Sequence, residues 1–354
     1  MRIASAATAL PKHRYDQQTI LDALKFHWAS KLEQPDMLDR LHARTGVETR
    51  SLALPIEAYP ELKNWGEANQ VWIDTACELG QNAICHALTR AGLSVQDPAA
   101  FFFVSISGVA SPSIDAKLVN QMGLNRNIKR VPIFGLGCVA GAAGIARAAD
   151  YVRAFPDQAA LLLSVELCSL TIQRDDLSIA NLISSGLFGD GAAAVIVVGD
   201  QHPSNLIARG GPEILATRSV FYPNSEDVMG WDIGERGFRI VLSKDVPNMV
   251  YKHLAGDIDQ FLADHDLKRR DIGAWVMHTG GPAILTATEN ALDLPDGALD
   301  ASWDCLKRVG NLSSSSVLFV LEDFLERRKP APGTYGLLAA MGPGFCSELI
   351  LLRW

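Results

Sequence analysis

The chain has 354 residues, enough for two ordinary domains or one large duplicated one. Apolar residues make up 48% and charged residues 20%, so a sizeable core is available and disorder and coiled coil are excluded. The 32 basic and 40 acidic residues leave a net charge of −8, and no basic run is present to track a phosphate backbone, which argues against nucleic acid as a partner.

Along the chain, Met1-Arg2 with Ile3 to Leu10 imitates a signal peptide, but its short apolar part runs into Pro11-Lys-His-Arg14 and reads as a first strand. No charge-free apolar stretch reaches membrane-spanning length, so no membrane span is expected. Between Asp39 and Arg50, Arg40 and Arg44 are four residues apart and share a helical face. Asp74 to Thr89 carries apolar residues at three- and four-residue steps and reads as a helix, followed by a buried strand over Phe101 to Ile106. An extended run from Val131 then meets glycines, Cys138 and a helix of very small residues. Leu161 to Val165, Ala192 to Val198, Gly273 to Met277 and Leu349 to Leu352 read as buried strands, and Ser316 to Arg328 as a helix. This alternation means an α/β sheet.

A weak internal repeat accompanies it. Gly137-Cys138 and Gly310-Asn311 each end a loop, open a helix rich in small residues and precede a strand, near Leu161 and near Tyr335. Two halves, 1–200 and 201–354, meeting near the turn Asp200 to Asn205, would bring both helix starts to the centre. Coincidence is the competing explanation, since α/β proteins contain many such units.

Cys138 sits where a helix start favours a thiolate, lowering a free thiol pKa of about 8.5 toward or below neutrality, although most cysteines are simply small buried residues. Among eight histidines, His278 closes the apolar run Ile272 to Met277 ahead of Thr279-Gly-Gly-Pro282, a turn at a strand end where α/β sites form. Asn311 precedes an apolar helix and reads equally as an N-cap or as an amide donor to an oxyanion. The six cysteines (Cys77, Cys85, Cys138, Cys168, Cys305, Cys346) form neither a disulfide framework nor a Cys-x-x-Cys metal pair, which points to the reducing cytosol.

These segments in order resemble the type III polyketide synthases, the chalcone synthase-like group of the thiolase fold. The resemblance is carried by Gly137-Cys138-Val-Ala-Gly, Ser164-Val-Glu-Leu-Cys-Ser, Leu187-Phe188-Gly-Asp-Gly, Gly237-Phe238-Arg to Lys244-Asp-Val-Pro247, His278-x-Gly-Gly-Pro, Gly310-Asn311-Leu-Ser-Ser and Gly342-Pro-Gly344. Spacing agrees, with 140 residues from Cys138 to His278 and 33 from His278 to Asn311. The resemblance implies a layered α/β/α/β/α core and a homodimer. It implies acyl-CoA and malonyl-CoA as substrates, with no resident cofactor or metal. Cys138 would be the nucleophile, His278 its ionic partner and Asn311 the second donor to an enolate. Phe188 and Phe238 would be gatekeepers, against the commoner fate of Phe as core. Glu166 would lie behind the site as a buried support or take part in water activation. Cys168, Ser313 and Ser107 would shape the cavity, and a partner's loop at Ser107 to Ser113 would complete it. Arg44, and less closely Arg40, would meet the coenzyme A phosphates.

Two departures occur: Thr279 replaces the family's proline after the histidine, and Ala340-Met341-Gly-Pro-Gly344 replaces a C-terminal Gly-Phe-Gly-Pro-Gly, with Met341 as a flexible wall. These variants look bacterial, a group that includes makers of alkylresorcinols and alkylpyrones from fatty acyl starters. The rivals are an initiating ketoacyl-acyl-carrier-protein synthase, a degradative thiolase with Cys346 as second cysteine, a papain-like hydrolase and a non-catalytic acyl-binding module. Thr279-Gly-Gly-Pro282 departs from the first, the absence of glycines after Cys346 from the second, and residue spacing from the third. Cys138 at a helix start argues against the last.

Overall fold

The structure is a computed structural model that describes residues 1–28, 31–32, 34, 36–203 and 211–354. The end of the expected turn at Asp200 to Asn205 lies outside the described residues. Among the described residues, nine strands form one mixed sheet. Its spatial order is Ile272–Met277, Tyr335–Gly342, Cys346–Arg353, Glu213–Phe221, Arg2–Ala9, Asp190–Val198, Ala159–Leu167, Pro98–Val104 and Lys129–Ile133. The four C-terminal and five N-terminal strands meet at one register position, Arg2 opposite Glu213.

The apolar strands are continuous because both of their faces are covered. Side chains alternate at period two. Phe101, Phe103, Leu161 and Leu163 face the outer helix Trp65–Ala91, while Phe102, Val104 and Leu162 face inward. In the other half, Leu337, Leu349 and Leu351 pack beneath the helices Ala255–Ala263 and Pro282–Leu292, while Leu338, Ile350 and Leu352 face inward. Between the two inward faces lie the helices Ala140–Ala154 and Ser316–Asp323. The result is the expected α/β/α/β/α layering of the thiolase-like fold.

Small residues at the start of the first central helix have a direct cause. A Cβ on Gly141 would lie 2.1 Å from the Ser314 carbonyl oxygen, so only glycine lets the two central helices begin in contact. That contact brings the Cys138 turn against the segment that follows Asn311.

Element ends differ from the sequence expectation by a few residues in most elements, and three of the differences have a direct cause. The Trp65–Ala91 helix starts nine residues early because the Asn64 side chain accepts from Glu67 N at 3.0 Å, and an exposed polar first turn hides such a start from periodicity. The strand expected to reach Ile106 stops at Val104, since Ile106 N bonds the Glu166 carboxylate at 3.2 Å instead of a neighbouring strand. The helix expected over Ser316 to Arg328 is α-helical to Asp323 and continues as a wider π-turn over Phe324–Arg328.

Candidate active site

Cys138 lies in the 3-10 turn Gly137–Val139 that leads into the central helix. Gly137 takes φ +53, and a side chain there would also strike Pro343 at 2.7 Å, so the turn before the cysteine requires glycine. The cysteine is 6% exposed, and its Sγ is 3.6 Å from Ser313 Oγ. His278 leaves the end of Ile272–Met277, and its backbone N donates to Ala339 O at 3.0 Å. Asn311 follows the helix Asp300–Val309, donating its backbone N to Leu187 O at 2.9 Å and accepting from Gly189 N at 3.0 Å.

The Asn311 side chain is held on both of its amide ends. Its Oδ1 accepts from Ser313 N at 2.8 Å and from Ser316 Oγ at 3.3 Å, which assigns the amide orientation. Its Nδ2 is then turned toward the His278 loop, where the distance to Gly280 O is 3.4 Å, long enough to leave donor capacity for a ligand.

One cavity of about 400 Å³ is lined by Cys138, His278 and Asn311 together. Phe188, Met277 and Met341 form part of its mostly apolar wall, and Arg44 and Lys244 are its two cationic lining residues. Of the expected residues, Phe188 and Arg44 are therefore placed on the cavity, and Ser313 touches the cysteine. Several others are not. Arg40 is exposed and does not line it. Phe238 is 1% exposed and packs among Trp65, Trp231 and Phe134, with ring centroids 6.0, 5.9 and 6.4 Å away. Lys244 was not singled out as a cation, because its sequence neighbourhood reads only as a loop.

Behind the cysteine, Glu166 is fully buried and accepts from Ser107 Oγ at 2.7 Å, Ser105 Oγ at 3.3 Å, Ile106 N at 3.2 Å and Ser314 Oγ. Burial raises its pKa against those donors. Ser107 also accepts from Leu167 N at 2.9 Å, so Ser107 and Glu166 form a connected support beneath the cavity rather than part of its lining. Cys168 is buried beside Phe188 in the core, and burial raises its thiol pKa. Cys346 is half-buried and donates to Pro343 O at 3.3 Å, outside the cavity lining.

The thiol departs from the sequence expectation. Burial pushes Cys138 up to about 12, while the Ser313 contact pulls the other way. Burial also pushes His278 down to about 4. Both groups therefore favour their neutral forms, and the expected gain from a helix start is reduced because the cysteine stands in a 3-10 turn ahead of the helix. The reactive thiolate would form by passing its proton to the imidazole.

A second buried histidine is expected to contribute a pH-dependent share of the stability. His42, 2% exposed between the helices Asp36–Ala43 and Ile179–Leu187, lies 3.2 Å from Ser185 Oγ, and burial together with the Arg50 charge pushes it down to about 4. The unfolded chain binds this proton near the ordinary value of about 6.5, so stability falls as pH drops from about 6.5 to 4, by about 3 kcal/mol from this group. Asp190, pushed up to about 6, acts in the opposite direction and is untouched by changes at His42. His42→Gln is expected to flatten the fall of the thermal midpoint between pH 6.5 and 4.5, and a wild-type slope in that variant would refute the assignment.

Among the described residues, no group of three or more His, Cys, Asp or Glu is placed to hold a metal, and no helix is long and apolar enough to cross a membrane. A second cavity, of about 900 Å³, is lined by Trp28, Tyr59, Trp65, Ile172 and Arg50 among others and includes none of Cys138, His278 and Asn311.

Comparison with known proteins agrees with this geometry. The family model for the N-terminal domain of chalcone and stilbene synthases matches residues 2–201, and that for their C-terminal domain matches residues 213–354. A 1,3,6,8-tetrahydroxynaphthalene synthase of Streptomyces peucetius subsp. caesius is 50% identical, over 99% of this chain and 93% of that one. A phloroglucinol synthase of Pseudomonas fluorescens is 32% identical over 97% and 96%. The crystal structure of 1,3,6,8-tetrahydroxynaphthalene synthase from Streptomyces coelicolor, a bacterial type III polyketide synthase, superposes with a TM-score of 0.93 at 31% identity, covering 100% of this chain and 99% of that one.

Proposed function

We propose, from the premise that this chain belongs to the chalcone and stilbene synthase family and is a type III polyketide synthase, that Cys138, His278 and Asn311 carry its reaction. The observation that supports this most directly is their convergence on one apolar cavity, with the Asn311 amide already turned by Ser313 N.

In this reading, Cys138 gives its proton to His278 and attacks the carbonyl of an acyl-CoA. The C–S bond to coenzyme A breaks, and the departing thiolate takes the proton from His278. Malonyl-CoA then binds with its thioester oxygen toward His278 and Asn311 Nδ2. As CO2 leaves, the bonding pair moves onto the α-carbon and the thioester oxygen, where two donors meet charge that the ground state lacks. The apolar face of Phe188 disfavours the ionised carboxylate and so favours its loss. The α-carbon attacks the Cys138 thioester, a C–C bond forms, and the cysteine sulfur is released for the next round.

The coenzyme A phosphates fall to Arg44 and Lys244, the local cations of a chain whose net charge is otherwise unfavourable to anions. Arg40 is set aside. The two halves, 1–200 and 201–354, work as one unit because Cys138 comes from the first and His278 and Asn311 from the second. The exposed edge strand Lys129–Ile133, with half-exposed Phe134 beside it, is the face offered to a second copy, and a cytosolic location is the reading that CoA thioester substrates and unpaired cysteines support.

The product we propose is a polyhydroxylated naphthalene built on a malonyl starter, following the relative that shares half of its residues with this chain. Oxygens on alternate carbons are the pattern that repeated two-carbon additions leave. Purified protein given malonyl-CoA alone, without carrier protein, is expected to release CO2 and yield that product by mass spectrometry. A strict requirement for acyl carrier protein with a single extension overturns the assignment. Preferential formation of alkylated pyrones or resorcinols when fatty acyl-CoA is added overturns the short starter.

A further inference from the structure

Arg50 closes the segment in which coenzyme A contacts were sought, yet it points into the protein. It is 2% exposed on the short strand Thr49–Leu52. Its Nη1 donates to two backbone carbonyls, Ser185 O at 2.8 Å and Phe188 O at 2.6 Å, and its Nε donates to Gln17 Oε1 at 3.2 Å. Gln17 in turn donates through Nε2 to Gly186 O at 2.7 Å. The turn that delivers Phe188 to the cavity is thus held at three of its carbonyls, those of Ser185, Gly186 and Phe188, by a single buried guanidinium and its helper.

The same turn carries Asn311. Phe188 and Asn311 form an isolated parallel bridge, with Asn311 N on Leu187 O and Gly189 N on Asn311 O. The methylenes of Arg50 also pack against the residue before the asparagine, since a side chain on Gly310 would lie 3.1 Å from Arg50 Cδ. Burial lowers the guanidinium pKa to about 10 while the charge of Asp190 opposes that, so the group remains a cation at neutral pH. Nη1 meets both carbonyls and Nε meets the Gln17 amide, so two nitrogens of one rigid group share the work; a lysine has a single nitrogen on a flexible stem and cannot reach both sets of partners at once.

We infer that Arg50 is a positioning residue for decarboxylation: it registers the Phe188 turn and, through the bridge, sets the distance of the Asn311 amide from the enolate oxygen. The inference rests on the proposed donor role of Asn311. A misplacement of a donor by about 1 Å costs up to about a hundredfold in rate.

The test is a double-mutant cycle on malonyl-CoA decarboxylation by the full-length protein. Arg50→Lys is expected to lower kcat about 10- to 100-fold with KM for malonyl-CoA within about threefold, and to add almost nothing in an Asn311→Ala background. Gln17→Leu, which leaves the guanidinium in place, is the milder variant and is expected to shift kcat in the same direction by less. If Arg50→Lys fails to fold, the cycle is read on Gln17→Leu. An Arg50 or Gln17 effect that multiplies with that of Asn311→Ala, or that falls on KM with kcat unchanged, overturns the inference. Undiminished decarboxylation in Asn311→Ala alone overturns the donor role itself, a separate result.

Discussion

Cys138→Ser is expected to fold as the parent does and to lose acyl loading by about a thousandfold or more. The substitution is close to isosteric, and the replacement hydroxyl keeps Ser313 Oγ as a neighbour, the only side-chain hydrogen-bond partner of the Cys138 sulfur among the described residues. What changes is the ease of ionisation. In the proposed mechanism a thiol pushed up to about 12 by burial reaches the thiolate by giving its proton to His278, whereas an alcohol in the same site would start several pKa units higher and make a weaker nucleophile. Loading is read as the mass gained by the intact protein on exposure to a starter acyl-CoA. Decarboxylation of malonyl-CoA, which needs His278 and Asn311 rather than the sulfur, is expected to continue at a reduced rate. Acyl transfer by Cys138→Ser at the parental rate excludes Cys138 as the nucleophile.

The residues proposed to carry this chemistry were legible through the family resemblance, since the local signals alone left each of them two readings. Cys138 comes after a glycine turn, His278 closes an apolar strand, and Asn311 precedes an apolar helix. The α/β sheet was legible from largely apolar runs such as Leu161 to Val165 and Leu349 to Leu352, whereas the five-layer stacking was implied by the resemblance alone. What a sequence pattern does not carry is the direction in which a side chain leaves a short or irregular element. Arg44 and Arg50 lie six residues apart in one basic segment, but the first lines the cavity and the second is buried under the Phe188 turn. Phe238 shares the family motif of a gatekeeper, and the hairpin of Met229–Gly234 and Gly237–Leu242 packs it into a cluster of aromatics. Ser107 was expected at the cavity from the resemblance, yet its hydroxyl donates to the buried Glu166 carboxyl. Lys244 stands in the Lys244-Asp-Val-Pro247 stretch that carries part of the resemblance, but nothing there marks it as a cation facing the cavity.

Asn311→Ala and Asn311→Asp together separate a donor role from a merely structural one. The side chain holds Ser313 N through Oδ1 and offers Nδ2 to the cavity, so alanine removes both functions while aspartate keeps the acceptor and removes the donor. Loss of one oxyanion-type donor costs about 3 kcal/mol, or roughly a hundred- to a thousandfold in kcat for decarboxylation. Aspartate should be at least as damaging as alanine, because an ionised carboxylate facing the enolate oxygen adds repulsion to the missing hydrogen bond. Its retained bond to Ser313 N should hold the thermal midpoint closer to that of the parent than alanine does. Loading of Cys138 should fall far less than decarboxylation in both, since the sulfur attacks the starter carbonyl before any enolate exists. His278→Ala makes the contrast complete: it is expected to impair loading and decarboxylation together, because one imidazole serves as proton acceptor in the first step and as donor in the second. If aspartate restored decarboxylation toward the parental rate, the Ser313 contact would be the whole contribution of this residue, and the enolate would have to be held by His278 without it.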